Sequence, residues 1–273
     1  MTATIDDVLA GRARWCVVVG DCLSVLQSIP DATIGAVVTD PPYSSGGQFR
    51  GDRAGTAADK YMTSSASEEY LTAIGGGFSG DNRDQRSFAY WCALWLSEAQ
   101  RTSTPGSPIV QFTDWRQLPI TTDAIQAGGW VWRGIFVWDK GDGGRPQKGR
   151  FRASSEFGVW GSNGPMPVEG ECLPGSFRTA APPGAERVHL TQKPLDLMRV
   201  VVRIAKEDAI VLDPFCGSGT TGCAAIAEGR RFIGIERDAG HAQTARERLA
   251  AESQGLTLRQ ARAGQTSLFG GGS

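Results

Sequence analysis

The chain has 273 residues, of which 40% are hydrophobic and 21% charged, and its formal net charge at pH 7 is −1. This composition fits an ordinary soluble globular protein, and no apolar run approaches the roughly 20 residues that cross a bilayer. The charge balance neither indicates nor excludes a nucleic-acid-binding protein, because binding depends on where charges cluster. The N-terminus has neither a basic start nor an apolar core, so no signal peptide is predicted and a cytoplasmic protein is expected.

The six cysteines and two histidines do not have the spacing of a metal site. There is no CxxC pair, and His189 and His241 lie far apart, which argues against a Cys/His zinc site. In an intracellular chain the cysteines are expected to be free thiols, several of them buried. No metal ion is therefore predicted.

Short β-branched runs alternate with helical stretches, a pattern that predicts an α/β fold with a mostly parallel sheet covered on both faces. Strands are predicted at residues 15–20, 34–39, 108–112, 131–138, 156–160, 209–212 and 231–235. Helices are predicted at residues 23–29, 88–101, 118–127, 194–206, 220–228 and 239–252.

Three stretches interrupt this pattern. Residues 44–87 are rich in Gly, Ser, Ala and Asp and predict a long loop, which in a compact domain is usually functional or disordered. Residues 141–188 are rich in Gly and Pro, and residues 253–273 are polar and predict a flexible tail. The 141–188 stretch carries a basic cluster without intervening acids, made of Arg145, Lys148, Arg150 and Arg152.

Residues 213–222 (DPFCGSGTTG) directly follow a predicted strand and open a predicted helix. They contain G-x-G-x-x-G at Gly217, Gly219 and Gly222, and Glu236 ends the next strand. In nucleotide-binding α/β folds such glycines admit close backbone approach, and a strand-end acid takes the ribose hydroxyls. The motif predicts a nucleotide cofactor site, and an NAD-dependent oxidoreductase is one enzyme class that would use it.

The second motif, Asp40-Pro41-Pro42-Tyr43, ends the apolar run at 34–39, since the two prolines cannot continue a strand ladder. A rigid turn with an incidental acid is the simplest interpretation. The groups also suit methyl transfer to an aromatic amine, whose lone pair is delocalised into its ring. A carboxylate and the Pro41 carbonyl that accept its two N–H bonds would localise that pair and stabilise the developing cation.

Together, DPPY and DPFCGSGTT resemble the amino-group DNA methyltransferases of bacteria and phages. Because DPPY comes first along the chain, the order resembles that of the circularly permuted beta group. Residues 20–22 (GDC), 90–101, 136–140 (FVWDK) and 189–194 (HLTQKP) resemble further elements of the family, although Leu190 stands where the family usually has proline. The resemblance covers about residues 15–248, apart from the two loops.

The resemblance implies a doubly wound, mostly parallel, seven-stranded Rossmann-like methyltransferase sheet, circularly permuted, with inserted DNA-recognition loops. Residues 1–140 would form the catalytic half, with the long loop at 44–87, and residues 189–252 the cofactor-binding half of the same domain. Residues 141–188 would be the target-recognition region and residues 253–273 a flexible tail.

The implied cofactor is S-adenosylmethionine and the implied partner is double-stranded DNA. Asp40 and the Pro41 carbonyl, held by Pro42, would bind the target amino group, and Tyr43 would stack on the flipped base. Glu236 would hold the ribose, Asp21 the adenine edge, and Lys193 with Gln192 the carboxylate end of the cofactor. The remaining implied cofactor contacts are Cys22, Pro194, Asp213, Phe215, Cys216, Gly217, Ser218, Gly219, Thr220 and Thr221.

Chemistry on a base inside a duplex requires extrusion of the nucleotide, and the basic cluster at 145–152 could neutralise phosphates or read guanine. A solvated charged loop is the alternative for this cluster. Residues 265–269 (QTSLF) resemble the peptide by which bacterial proteins bind the sliding clamp, although they could equally pack on their own domain. A homodimer is expected only by analogy with the group.

Several functions remain open on sequence alone. An aspartate at the head of the tetrapeptide favours N6 of adenine, since N4-cytosine enzymes more often have serine there; N4-cytosine methylation is the alternative. Cytosine-C5 chemistry needs a nucleophilic thiol, usually in a Pro-Cys pair, and the chain has none. An NAD-dependent oxidoreductase leaves DPPY unexplained, and a non-catalytic DNA-binding module leaves the whole catalytic set without a role.

Overall fold

The computed structural model describes residues 2–43, 85–143, 148–180 and 193–264. Four predicted features lie outside these ranges: residues 44–84 of the long loop, Arg145, Gln192 and the clamp-like segment at 265–269. In the part that is described, no helix is long and apolar enough to cross a membrane.

Eight strands of the described chain form one sheet in the order β1-β8-β7-β2-β3-β5-β4-β6. The first five in this order are parallel neighbours, and β5 runs antiparallel to both β3 and β4. The strands are β1 (Trp15–Val19), β2 (Ala36–Thr39), β3 (Pro108–Thr113), β4 (Val131–Asp139), β5 (Ser155–Ser162), β6 (Ser176–Arg178), β7 (Ile210–Asp213) and β8 (Arg231–Glu236).

Helices cover both faces of this sheet. They are α1 (Ile5–Leu9), α2 (Cys22–Leu26), α3 (Gln85–Thr102), α4 (Leu118–Ala127), α5 (Leu195–Val202), α6 (Thr220–Ala227), α7 (Ala239–Glu252) and α8 (Leu258–Arg262). One apolar core contains Phe112 and Leu197, and a second contains Trp95 and Ile109. Every residue of β2 and β7 is buried, as expected for parallel strands covered on both sides.

The predicted doubly wound α/β fold is confirmed, and the sheet has one strand more than the seven predicted. The additional strand, β6, is three residues long at the sheet edge and pairs with the end of β4. A strand this short within a Gly/Pro-rich stretch carries no periodic signal. β5 also lies within the stretch interpreted as the target-recognition region, yet it occupies the sheet between β3 and β4. The circular permutation stays a prediction.

Two short helices lie where none was predicted. In α8, within the stretch expected to be a flexible tail, the Thr257 hydroxyl and the Gln260 side chain form a reciprocal capping box. Arg262 on this helix bonds Glu247 on α7 at 2.7 Å, so residues 257–262 are attached to the domain. In α1, Thr4 and Asp7 form the same kind of cap.

Candidate active site

The two motifs meet at one edge of the sheet. β2 and β7 are parallel neighbours, so the residues that follow them emerge side by side. The Thr39 hydroxyl, at the end of β2, donates a hydrogen bond of 2.7 Å to Oδ1 of Asp213, the first residue of the glycine motif. Both side chains are buried. The Asp40–Tyr43 tetrapeptide and the glycine turn are therefore neighbours at the carboxyl ends of adjacent strands, where α/β folds bind their ligands.

Asp40 begins the tetrapeptide, and both of its carboxylate oxygens are engaged. Oδ1 accepts a hydrogen bond of 2.5 Å from the Tyr43 hydroxyl, and Oδ2 is paired with the ammonium of Lys193. Burial raises the pKa of Tyr43 well above its ordinary value, and the Asp40 charge adds to this, so the hydroxyl keeps its proton. Tyr43 thus covers the carboxylate in this structure and does not present a free hydroxyl.

Lys193 was expected at the carboxylate end of the cofactor, but its ammonium lies on the tetrapeptide instead. It contacts Asp40, the Tyr43 hydroxyl at 3.0 Å and Oε2 of Glu156 at 3.1 Å. Glu156 was not expected to take part in the site. It lies near the start of β5, which reaches this edge because β5 runs antiparallel to β3. Pro194 caps α5 and is buried behind Lys193.

The glycine turn is built as the sequence predicts. Gly217 and Gly219 have positive φ values of 49° and 83°, which glycine adopts without steric cost. A β-carbon on Gly217 would meet no atom within 4 Å, so the chain leaves open space beside it. The Gly217 N–H donates to Oε2 of Glu236 at 2.9 Å. Glu236, the last residue of β8, is therefore attached to the glycine turn through its side chain.

The residues around this open space fit a cationic nucleoside such as S-adenosylmethionine. Asp213 is buried, and its hydrogen-bond partners are the neutral groups of Thr39, Thr221 and the Phe215 amide. Burial raises the pKa of Asp213 to about 6, and a bound cation would offset this desolvation. The Phe215 ring packs against Trp91, with 5.3 Å between ring centroids, and provides an apolar wall.

Other predicted cofactor contacts have structural partners. Arg248 of α7 donates to the Ser218 carbonyl and hydroxyl and to the Thr220 hydroxyl at 2.8–3.1 Å. Cys216 is buried, and burial raises its pKa well above the ordinary thiol value. A β-carbon on Gly222 would lie 2.6 Å from the Phe232 ring, so this glycine serves helix–sheet packing. Ser218, Thr220 and Gly222 therefore contact the neighbouring helix and strand and support the conformation of the turn.

Asp21 and Cys22 follow β1, which pairs with β8. The Gly20 N–H donates to the Glu236 carbonyl at 2.9 Å, so Asp21 lies close to Glu236. Asp21 is exposed, and its carboxylate caps α2 by accepting from the Leu23 amide. Cys22 is buried in the apolar core. Of these two residues, only Asp21 is exposed.

The described part of the basic cluster is exposed and lies in the connection between β4 and β5. Lys148, Arg150 and Arg152 are exposed, and Arg152 donates to the Asp142 carbonyl at 3.1 Å. Sequence reasoning did not single out Trp115, which follows β3 with its indole 57% exposed and the Arg116 guanidinium stacked on it. Thus an exposed aromatic ring with a cation stacked on it lies just beyond the end of β3.

Replacing Glu236 with glutamine is expected to weaken S-adenosylmethionine binding about 10- to 100-fold. The backbone N–H groups of Gly217 and Asp238 hold this carboxylate in place, where it would accept the ribose hydroxyls, and a hydrogen bond to a charged group contributes about 1.5–3 kcal/mol. Calorimetric titration with S-adenosylmethionine measures the change, with Glu247→Gln on the outer part of α7 as the matched control. Wild-type affinity in Glu236→Gln would remove the ribose-binding role.

The comparisons with known proteins agree with this geometry. The family model described as DNA methylase matches residues 174–247, which include the glycine turn and Glu236. The methylase YubD of Escherichia coli (strain K12) is 29% identical over 244 residues, covering 87% of this chain and 91% of its own. The chain is therefore similar to DNA methylases, over residues 174–247 in the family model and over most of its length in this relative.

Two further proteins are similar to this chain, one in sequence and one in fold. The type II methyltransferase M.HinfI of Haemophilus influenzae is 27% identical over 265 residues, covering 84% of this chain and 67% of its own. The crystal structure of the M1.HpyAVI–SAM complex has the same fold, with a TM-score of 0.59 and 24% identity. That match covers 86% of this chain and 98% of the other.

Proposed function

We propose that this DNA methylase transfers a methyl group from S-adenosylmethionine to N6 of adenine in duplex DNA. The observation that carries the proposal is the 2.7 Å hydrogen bond between Thr39 and Asp213. It joins the end of β2, where Asp40 and Pro41 begin, to the turn that fits the cofactor. Donor and acceptor of the methyl group would therefore be held on neighbouring strands, which is the proximity that a bimolecular transfer needs.

The cofactor supplies an electrophilic methyl group on a sulfonium, so the protein needs neither a covalent nucleophile nor a metal for the transfer itself. Asp40 and the Pro41 carbonyl accept the two N–H bonds of the target amine and draw the nitrogen toward tetrahedral geometry. Their negative electrostatic potential stabilises the cation that develops on the nitrogen. Asp213 and Glu236 hold the cofactor at the neighbouring strand ends, and Tyr43 provides an aromatic face for the extruded base.

The choice of adenine rests on Asp40 at the head of the tetrapeptide, where N4-cytosine members of the family more often carry serine. Sequencing of methylated bases in DNA from cells that express the protein tests this choice and reads the recognition sequence at once. N6-methyladenine at one short sequence is the expected result. N4-methylcytosine would overturn the choice of base and leave the amino-methyltransferase proposal in place.

We also propose that the exposed cations at Lys148 and Arg150 contact DNA phosphates. Each phosphate contact contributes about 0.9 to the slope of log K against log salt concentration. Lys148→Ala/Arg150→Ala is therefore expected to lower that slope by about two and to weaken binding at low salt. Fluorescence anisotropy with duplex DNA over a salt series measures it.

The matched control for this variant is Arg12→Ala/Arg259→Ala, which removes the same charge from two other exposed positions. If the two double variants change the slope equally, the Lys148–Arg150 segment is not a DNA contact. Arg152 is left intact because it is already bonded to Asp142.

Two competing functions have inexpensive tests. An NAD-dependent oxidoreductase would bind NADH in the Gly217–Glu236 site, so parallel calorimetric titrations with NADH and S-adenosylmethionine distinguish the two; binding of S-adenosylmethionine alone is expected. A non-catalytic DNA-binding module would keep its function when Asp40 is replaced by alanine, whereas the proposed methyltransferase would lose it.

A further inference from the structure

Five polar side chains form one connected cluster beside the glycine turn. Asp40, Tyr43 and Lys193 make its inner part, and Glu156 with Lys140 continues it toward the end of β4. Glu156 and Lys140 take no direct part in the proposed methyl transfer. The cluster contains two carboxylates and two ammonium groups, so its formal charge is balanced.

Lys193 lies at the centre of this cluster, and its three N–H bonds have three acceptors. These acceptors are Asp40, the Tyr43 hydroxyl at 3.0 Å and Glu156 at 3.1 Å. A lysine ammonium has three donors and no acceptor. Its hydrogen-bonding capacity is therefore used within the cluster, and a cofactor carboxylate could bind it only by displacing one of these groups.

The surroundings of Lys193 make these interactions strong. Lys193 is 5% exposed, and its ammonium lies 5.2 Å from the centroid of the Phe112 ring and 5.9 Å from that of Trp138. Electrostatic interactions are stronger in such apolar surroundings than at a surface, and a buried charge without partners is costly. Lys193 must therefore keep an anionic partner whenever Asp40 changes its own contacts.

Glu156 is that second partner. It shares the ammonium of Lys193 with Asp40 and is paired on its other oxygen with Lys140. Although burial opposes ionisation of Glu156, the charges of Lys193 and Lys140 lower its pKa to about 2. Glu156 is therefore an anion throughout the physiological range, and it competes with Asp40 for Lys193.

We propose that Lys193 and Glu156 are positioning residues that act on the target amine through Asp40. Lys193 holds the Asp40 carboxylate ionised and oriented, and Glu156 keeps Lys193 satisfied when Asp40 turns an oxygen to the amine. The Tyr43 hydroxyl releases the other Asp40 oxygen when a base stacks on its ring. This inference rests on the proposed amino-methyltransferase function and assigns Lys193 to the catalytic carboxylate, in place of the cofactor.

Loss of Lys193 and loss of Glu156 should change the pKa of Asp40 in opposite directions. Burial raises the pKa of Asp40, the Lys193 charge lowers it, and the Glu156 charge raises it. Asp213 on β7 also interacts electrostatically with Asp40, and Asp114 with Tyr43; both acids are the same in every variant. Loss of Lys193 should therefore raise the pKa of Asp40, and loss of Glu156 should lower it.

The test is the single-turnover methylation rate as a function of pH, at saturating S-adenosylmethionine and duplex DNA. Because Asp40 must be ionised, its pKa sets the acid limb of this profile. Lys193→Met is expected to move the acid limb up by about one pH unit and Glu156→Gln to move it down. Both variants should bind S-adenosylmethionine with wild-type affinity in calorimetric titration.

Glu171→Gln is the matched control, since it removes a carboxylate from the exposed pair with Arg203 and should leave the limb in place. If Lys193→Met does not fold, Lys140→Gln replaces it. Without Lys140, Glu156 competes more strongly with Asp40 for Lys193. The acid limb of Lys140→Gln should therefore move to higher pH, while the acid limb of Glu156→Gln moves to lower pH.

Two results would overturn the proposal. One is an active wild type with acid limbs that coincide in all variants. The other is a loss of S-adenosylmethionine affinity of about tenfold or more in Lys193→Met with no shift of the acid limb. That result would mean that Lys193 binds the cofactor and does not act through Asp40. A wild type that methylates no DNA would instead remove the proposed function, and this inference with it.

Discussion

Replacing Asp40 with asparagine is expected to lower the rate of methyl transfer by about 10²- to 10³-fold, the usual effect of losing one preorganised electrostatic group. The amide oxygen is neutral, so it stabilises the developing cation on the amine less than the carboxylate does. Lys193 retains Glu156 as an anionic partner, so the fold should survive the substitution. Single-turnover transfer of a labelled methyl group to duplex DNA measures the rate.

Asp123→Asn is the matched control, because Asp123 is an exposed carboxylate on α4. Calorimetry should give wild-type affinity for S-adenosylmethionine in both variants, since Asp40 lies on the amine side of the site. If Asp40→Asn kept most of the wild-type rate, the tetrapeptide would be a structural turn.

Replacing Gly219 with alanine is expected to reduce the free energy of unfolding by about 2–5 kcal/mol. Its φ of 83° is strained for residues with a β-carbon, and that carbon would lie 2.9 Å from the Ala245 Cβ and 3.1 Å from its Cα. The turn and α7 would have to separate. Urea denaturation measures the loss.

Gly217→Ala is the matched comparison, because a β-carbon there meets open space. Only the strain of φ 49° applies, about 1–2 kcal/mol, and the added methyl group would project into the space assigned to the cofactor. Gly217→Ala should therefore lose affinity for S-adenosylmethionine with a smaller loss of stability. Equal losses of stability in the two variants would contradict this division of roles.

The sheet and the glycine turn could be predicted because their signals are local. The runs that form β2 and β7 are continuously apolar and end at Asp40 and Asp213, and the glycines at 217 and 219 occur where the chain adopts positive φ. The short helices α1 and α8 were not predicted, although their caps also have a local pattern. Thr4 with Asp7 and Thr257 with Gln260 have the spacing of a capping box.

The partners within the site could not be predicted in the same way. Lys193 is 153 residues from Asp40, and Glu156 is 113 residues from Tyr43, so only the folded sheet brings them together. The resemblance implied that Lys193 binds the carboxylate end of the cofactor. A sequence motif does not specify the direction of a side chain, so the contact of Lys193 with Asp40 could not be predicted from it. Ser218 likewise accepts a hydrogen bond from Arg248 on α7, a residue that belongs to none of the motifs.

The most direct test of the central claim is mass spectrometry of nucleosides from duplex DNA incubated with the protein and methyl-labelled S-adenosylmethionine. The Asp40→Asn variant serves as the control for labelling that does not depend on the site. We expect labelled N6-methyl-2′-deoxyadenosine with the wild type and a loss of about 10²- to 10³-fold in the rate of labelling with the variant. Unlabelled DNA, or a label on carbon 5 of cytosine, would contradict it.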